Sequence, residues 1–139
     1  MKRKIKNQRG VAAVEFALIL LPLVLLVFGT IEFSTLLYDK AMITNASREG
    51  ARAGIVYSFP DRIADGEIVN VVSTYCSDHM LSLGGDSSVS TTISRSGNAS
   101  GDDLTVRVSY VYQFLVLPSF IAALSGGLNL QAETVMRLE

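Results

Sequence analysis

Cys76 and His79 carry the softest ligand atoms in this chain, and they stand three residues apart, a C-x-x-H spacing on a predicted helix. A thiol and an imidazole so placed suggest either a metal site or a nucleophile with its base. A structural zinc needs about four such ligands, and the sequence holds no second cysteine or histidine. A catalytic thiolate needs a base that is itself oriented by a third group, and none is evident nearby. Cys76 falls on an apolar stripe, where a free thiol behaves as a small hydrophobe. Asp61, Asp65, Asp102 and Asp103 lie in loop-like sequence and read as turn residues and caps. No glycine-rich phosphate cradle follows a strand. The expectation is a protein that is not an enzyme, with no catalytic residue, no metal, no cofactor and no small-molecule substrate.

Glu15 is harder to explain as a bland residue. It sits inside an apolar run, 11–33, that is otherwise uncharged until Glu32. A carboxylate at the centre of a spanning helix costs about 2.5–3.5 kcal/mol on insertion scales, and less near an interface. Glu15 follows Val11 by four residues, about 6 Å along a helix. Were the bond after Gly10 cut, Val11 would carry a free amine, largely cationic at neutral pH because such amines have pKa values of about 7.7–8.0. That amine, or one from a neighbouring subunit, would neutralise Glu15. The competing account is an interfacial glutamate that snorkels to the cytoplasmic surface or pairs with Arg9.

The elements around these residues are those of a membrane protein. Residues 11–31 would form a helix of about 31 Å, enough to cross a hydrocarbon core of about 30 Å once. A secretory signal has a shorter apolar region of about 7–15 residues and a small-x-small site after it; here neither condition holds, so the segment is expected to stay with the protein. Lys2, Arg3, Lys4, Lys6 and Arg9 precede it, while the remaining seven of 12 basic residues are set against all 13 acidic ones. Such asymmetry places the N-terminus in the cytoplasm and the acidic body outside, and it argues against nucleic-acid binding. A single cysteine excludes an intrachain disulfide.

Beyond the span, the helix is expected to continue through 34–58 on Phe33, Leu36, Leu37, Ala41 and Ala46, with Asp39, Lys40, Thr44, Asn45 and Arg48 on the remaining surface. Pro22 should kink it. Ala46, Gly50 and Gly54 form a small-residue face that would let another helix approach closely, or else mark a fraying end. A second helix follows on Ile68, Val71, Val72, Tyr75, Cys76, His79 or Met80, and Leu83, with Asp65 as its cap and Gly84-Gly85 as its stop. Alternation predicts strands over 87–94, 104–114 and 128–138. The apolar stretch 115–124 is too short to span a bilayer and reads as a packed loop, a short helix or an interfacial patch. The predicted fold class is α+β: a basic leader at 1–10, a long N-terminal transmembrane helix at 11–33, its extension at 34–58, and an extracytoplasmic domain at 59–139 of one helix on an antiparallel sheet of about three strands.

The leader ending in Gly10, followed by Val11-Ala12-Ala13-Val14-Glu15-Phe16-Ala17-Leu18, resembles type IV prepilin-like proteins. With Leu21-Pro22-Leu23, Phe28-Gly29, Glu32-Phe33, Leu36-Leu37-Tyr38 and Ala46-Ser47-Arg48-Glu49-Gly50-Ala51-Arg52, the stretch 9–54 looks like the TadE family of pseudopilins. The resemblance implies a minor pilin-like component of the tight-adherence (Tad/Flp) secretion system, which assembles thin adhesive pili. It also implies cleavage by a prepilin peptidase between Gly10 and Val11, leaving Glu15 at the fifth mature position. Processed members of that system often have Glu-Tyr where this chain has Glu15-Phe16, which keeps the ring and loses the hydroxyl. The implied partners are that peptidase, other pilin-like subunits, inner-membrane Tad components and the lipid bilayer. The implied location is the bacterial inner membrane, single-pass, with possible entry into the pilus. An uncleaved membrane scaffold and a membrane-tethered binding domain are the competing functions.

Overall fold

A computed structural model describes residues 8–57, 62–81, 88–114 and 127–139. Its backbone is one very long helix, α1 (Gln8–Ile55), a second helix, α2 (Asp65–His79), and three strands, β1 (Val89–Arg95), β2 (Asp103–Tyr112) and β3 (Leu128–Arg137). The predicted α+β class is therefore observed. α1 runs for 48 residues and passes through Pro22 without interruption. The predicted apolar connection at 115–124 lies outside the described residues.

The strands form an antiparallel sheet in the order β1-β2-β3. Leu104, Val106, Val108, Tyr110 and Tyr112 alternate onto one buried face, the phase expected from their period of two. Gly101 takes the β1–β2 turn at φ +96°, where side chains are rarely accommodated, and Asp102 closes that turn by accepting the amide of Ala99 at 2.8 Å. α1 lies along β2 and β3, and α2 beside β1. Ile43, Ile68, Val72, Leu104, Val106 and Val108 are fully enclosed between helices and sheet. Burying each such side chain contributes about 1.5–3 kcal/mol.

Contacts between α1 and the sheet climb in step. Tyr112, whose register partner is Leu128, meets Glu32; Lys40 donates to the carbonyl of Gln131; Ser47 shares a 2.7 Å hydrogen bond with Thr134; the amide of Glu139 donates to the carbonyl of Ile55. β3 thus runs parallel to the upper half of α1, and Glu32 marks the domain's lower rim.

Three local expectations need correction. Asp39 is fully buried, whereas Phe33, Leu37 and Ala41 face outward; the packed face of α1 is Glu32, Leu36, Asp39, Ile43, Ala46, Gly50 and Gly54. The α2 cap is Ala64, whose carbonyl accepts the amides of Glu67 and Ile68, while Asp65 is recruited into an ion pair with Arg95 at 2.8 Å. α2 also stops at His79, because Met80 turns extended and the amide of Leu81 donates to Asp39 Oδ1 at 3.1 Å. A buried carboxylate on α1 thereby competes with helix continuation for the chain; Leu83, Gly84 and Gly85 lie outside the described residues.

Candidate functional site

Gly10, Val11, Glu15 and Phe16 all lie near the described start of α1, on a segment that is exposed among the described residues. α1 is described from Gln8 onward, and the Gly10–Val11 bond lies within its helical backbone. Apart from its own helix backbone, no described heavy atom comes within 4 Å of where a Cβ on Gly10 would lie, and Val11 and Phe16 are each more than 60 % exposed. The helix from Gly10 to Ile55 is long and apolar enough to cross a membrane, and its most apolar 18-residue window, with a mean hydropathy of 2.8, has no residue buried in the protein. Exposing that much hydrocarbon to water is strongly unfavourable; a membrane anchor is the arrangement that removes the penalty.

Ala46, Gly50 and Gly54 are placed on the opposite kind of surface. A Cβ on Gly50 would lie 2.6 Å from Val72 Cγ2, and one on Gly54 would lie 2.5 Å from Leu104 Cδ2 and 2.6 Å from Ile68 Cδ1. The helix that approaches closely is this chain's own α2, with β2 beneath it. This small-residue face is occupied within the protomer.

Between these two zones lies a cluster that the sequence reading did not single out. The hydroxyl of Tyr112 donates toward both the carbonyl oxygen and Oε1 of Glu32, each at 3.3 Å. Asp39 sits two turns higher on the same face, with Oδ1 on the Leu81 amide and Oδ2 buried without a partner. Burial holds the Asp39 carboxyl above its ordinary value, and the Leu81 hydrogen bond only partly opposes that. Tyr112 is pushed up to about 12, first by burial and then by the charge of Glu32. The signal was present in outline: Glu32, Asp39 and Ala46 recur every seven residues, which keeps them on one helix face. Polarity hid it, since charged residues are ordinarily assigned to solvent.

The C-x-x-H pair is split by its helix. Cys76 points into the core beside Val72, and its thiol is pushed up to about 11 by burial and then by the charge of Asp39. His79 faces outward, stacked on Tyr75 at 4.4 Å with Nδ1 against the Tyr75 carbonyl at 2.9 Å. Among the described residues no three of His, Cys, Asp and Glu gather as a metal set. A polar hollow of about 590 Å³ opens at the upper end, lined by Tyr57, Arg62, Asp65, Arg95 and Asn98 among others. Both arginines there hold the structure: Arg95 binds Asp65 and the Ile63 carbonyl, and Arg62 donates to the carbonyls of Ile55 and Glu139. Among the described residues that line it, none is a nucleophile with an adjacent base.

Residues 10–52 match the family of TadE-like proteins. The resemblance read from the sequence is thus found by comparison over that stretch, which takes in the apolar half of α1 and most of its packed half. Over that stretch the likeness points to a Tad pilus-associated role. No curated protein and no solved structure matches the chain.

Proposed function

We propose that this chain is a minor pilin-like subunit for assembly of Tad/Flp-type adhesive pili, acting through helix packing and protein–protein contacts. The observation that carries the reading is the division of α1 within the matched stretch: a bare apolar half bearing Gly10, Val11, Glu15 and Phe16, continuous with a half built into a small domain. Prepilin peptidase cuts between Gly10 and Val11, on the cytoplasmic side of the bacterial inner membrane, and the domain lies outside. The new amine of Val11 is then available to Glu15 of the same or a neighbouring subunit. Such a pair carries a desolvation cost, so its effect is on register and recruitment more than on stability.

Intact-mass measurement on membrane-recovered protein tests the cleavage, with Gly10→Leu expected to remain at full length. Glu15→Gln and Glu15→Val should insert and be cleaved, yet support few or no pili. If insertion were the difficulty, valine would outperform the parent, since it removes a charge from the span. Unchanged fibre counts in both variants, with cleavage confirmed, would reduce Glu15 to an interfacial charge. The helical path through the Gly10–Val11 bond favours one alternative, an uncleaved single-pass scaffold, and an uncut parent mass would select it.

A further inference from the structure

We infer that the lower rim of the folded domain is seated in the headgroup layer of the outer face of the membrane, so that the domain docks on lipid and is not held off it. The inference rests on the reading of 11–31 as a membrane span. Those residues amount to about 31 Å of helix at about 1.5 Å each, which the hydrocarbon core of about 30 Å takes up whole. The next residue, Glu32, is already 98 % buried and bonded to Tyr112. No linker separates span from domain. The span has little freedom to slide outward and lift the domain, because Arg9 precedes it and basic side chains are retained on the cytoplasmic side. Tilting the helix requires more residues to cross the core, which draws the domain deeper.

The headgroup region adds roughly 5–8 Å on each side of the core, or about three to five helical residues beyond Ile31. Phe33 lies in that layer and Leu37 at its margin, and both are exposed, at 61 % and 52 %. The sheet contributes apolar side chains at the same height: Val111 and Leu128, 50 % and 42 % exposed, flank or oppose the Tyr112 that reaches Glu32. Hydroxyls at this level are satisfied within the helix, Thr30 donating to the Leu26 carbonyl and Ser34 to that of Thr30. Tyr38, 40 % exposed, sits just above, and an amphipathic ring is favoured at a membrane–water boundary. Among the described residues of this rim no charged side chain is exposed. Lipid is the occupant because the rim continues directly from the span, on both α1 and the sheet ends.

The test uses full-length protein in phosphatidylcholine–phosphatidylglycerol vesicles, with single added cysteines carrying bimane at Val111→Cys, Leu128→Cys, Val135→Cys or Leu20→Cys. Cys76 is left in place, and protein without an added cysteine measures its labelling. Nitroxide on the lipid headgroup should quench labels at positions 111 and 128 at least two-fold more than at 135, an exposed valine seven residues further along β3. Aqueous iodide should show the reverse order. Equal iodide quenching at 111, 128 and 135 would overturn the inference, as would shielding of 111 and 128 from both quenchers, which would mean a protein covers the rim. The Leu20 label, read with nitroxide deep in the acyl chain, tests the span separately: no quenching there removes the membrane reading itself, whereas quenching at 20 without quenching at 111 and 128 removes only the docking.

Discussion

Adding one methyl group at Gly54 measures how tightly α1 is built into the domain. A Cβ there would stand 2.5 Å from Leu104 Cδ2 and 2.6 Å from Ile68 Cδ1, whereas carbon atoms rest at about 3.5–4.0 Å. Both neighbours must retreat by about 1 Å inside a core where each is fully buried. Overpacking of this kind costs about 1–3 kcal/mol, while replacing a helical glycine with alanine returns about 0.8–1.0 kcal/mol of helix propensity. Gly54→Ala should therefore cancel the propensity gain and destabilise by up to about 2 kcal/mol. For a domain of this size that lowers Tm by up to roughly 15 °C. Gly29→Ala is the control: its Cβ meets nothing within 4 Å, so only the propensity gain remains. The assay is unfolding of detergent-solubilised full-length protein by circular dichroism. A second variant isolates the clash: Leu104→Ala alone should cost about 2–5 kcal/mol, and combined with Gly54→Ala the loss should fall short of the sum by at least about 0.5 kcal/mol. A Gly54→Ala protein stabilised as much as Gly29→Ala, or strictly additive losses in the pair, would refute the close packing of α1 against Ile68 and Leu104.

Tyr112→Phe removes the donor to Glu32, and since both hydrogen bonds are long at 3.3 Å, a loss near the low end, about 1 kcal/mol, is expected in the same unfolding assay. Asp39 is held above its ordinary value of 3.8, so as pH rises the unfolded chain releases this proton first. Its contribution to stability is complete below about pH 3.8 and declines as pH climbs through the folded value; Asp39→Asn should remove that decline, and an identical pH–stability slope in parent and variant would contradict it. Cys76, buried with its thiol at about 11, should resist iodoacetamide at pH 8, where on the order of one thiol in a thousand is ionised, and should react only after denaturation; rapid labelling of the folded protein would place it elsewhere.

How much of this was legible in the sequence depended on whether the deciding interaction was local. The apolar length of 11–33, the alternation of β2 and the stripe on α2 are set by periodicity, because a span, a half-buried strand and an amphipathic helix each impose their own repeat on the chain. Strand boundaries of β1, β2 and β3 accordingly fall within a residue or two of expectation. The orientation of α1 above Ile31 was not legible. Phe33, Leu37 and Ala41 form as plausible a core face as the true one, and only docking of β2 and β3 selects the face bearing Glu32 and Asp39. Two carboxylates enter the interior because Tyr112 and the Leu81 amide arrive from 80 and 42 residues away to meet them, and no window of sequence contains both ends of such a bond. The same long-range amide ends α2 at His79 where glycine chemistry pointed further on. The Cys76–His79 pairing shows the converse: adjacency in sequence put the two together, and the 3.6-residue turn of α2 sent one into the core and the other into solvent.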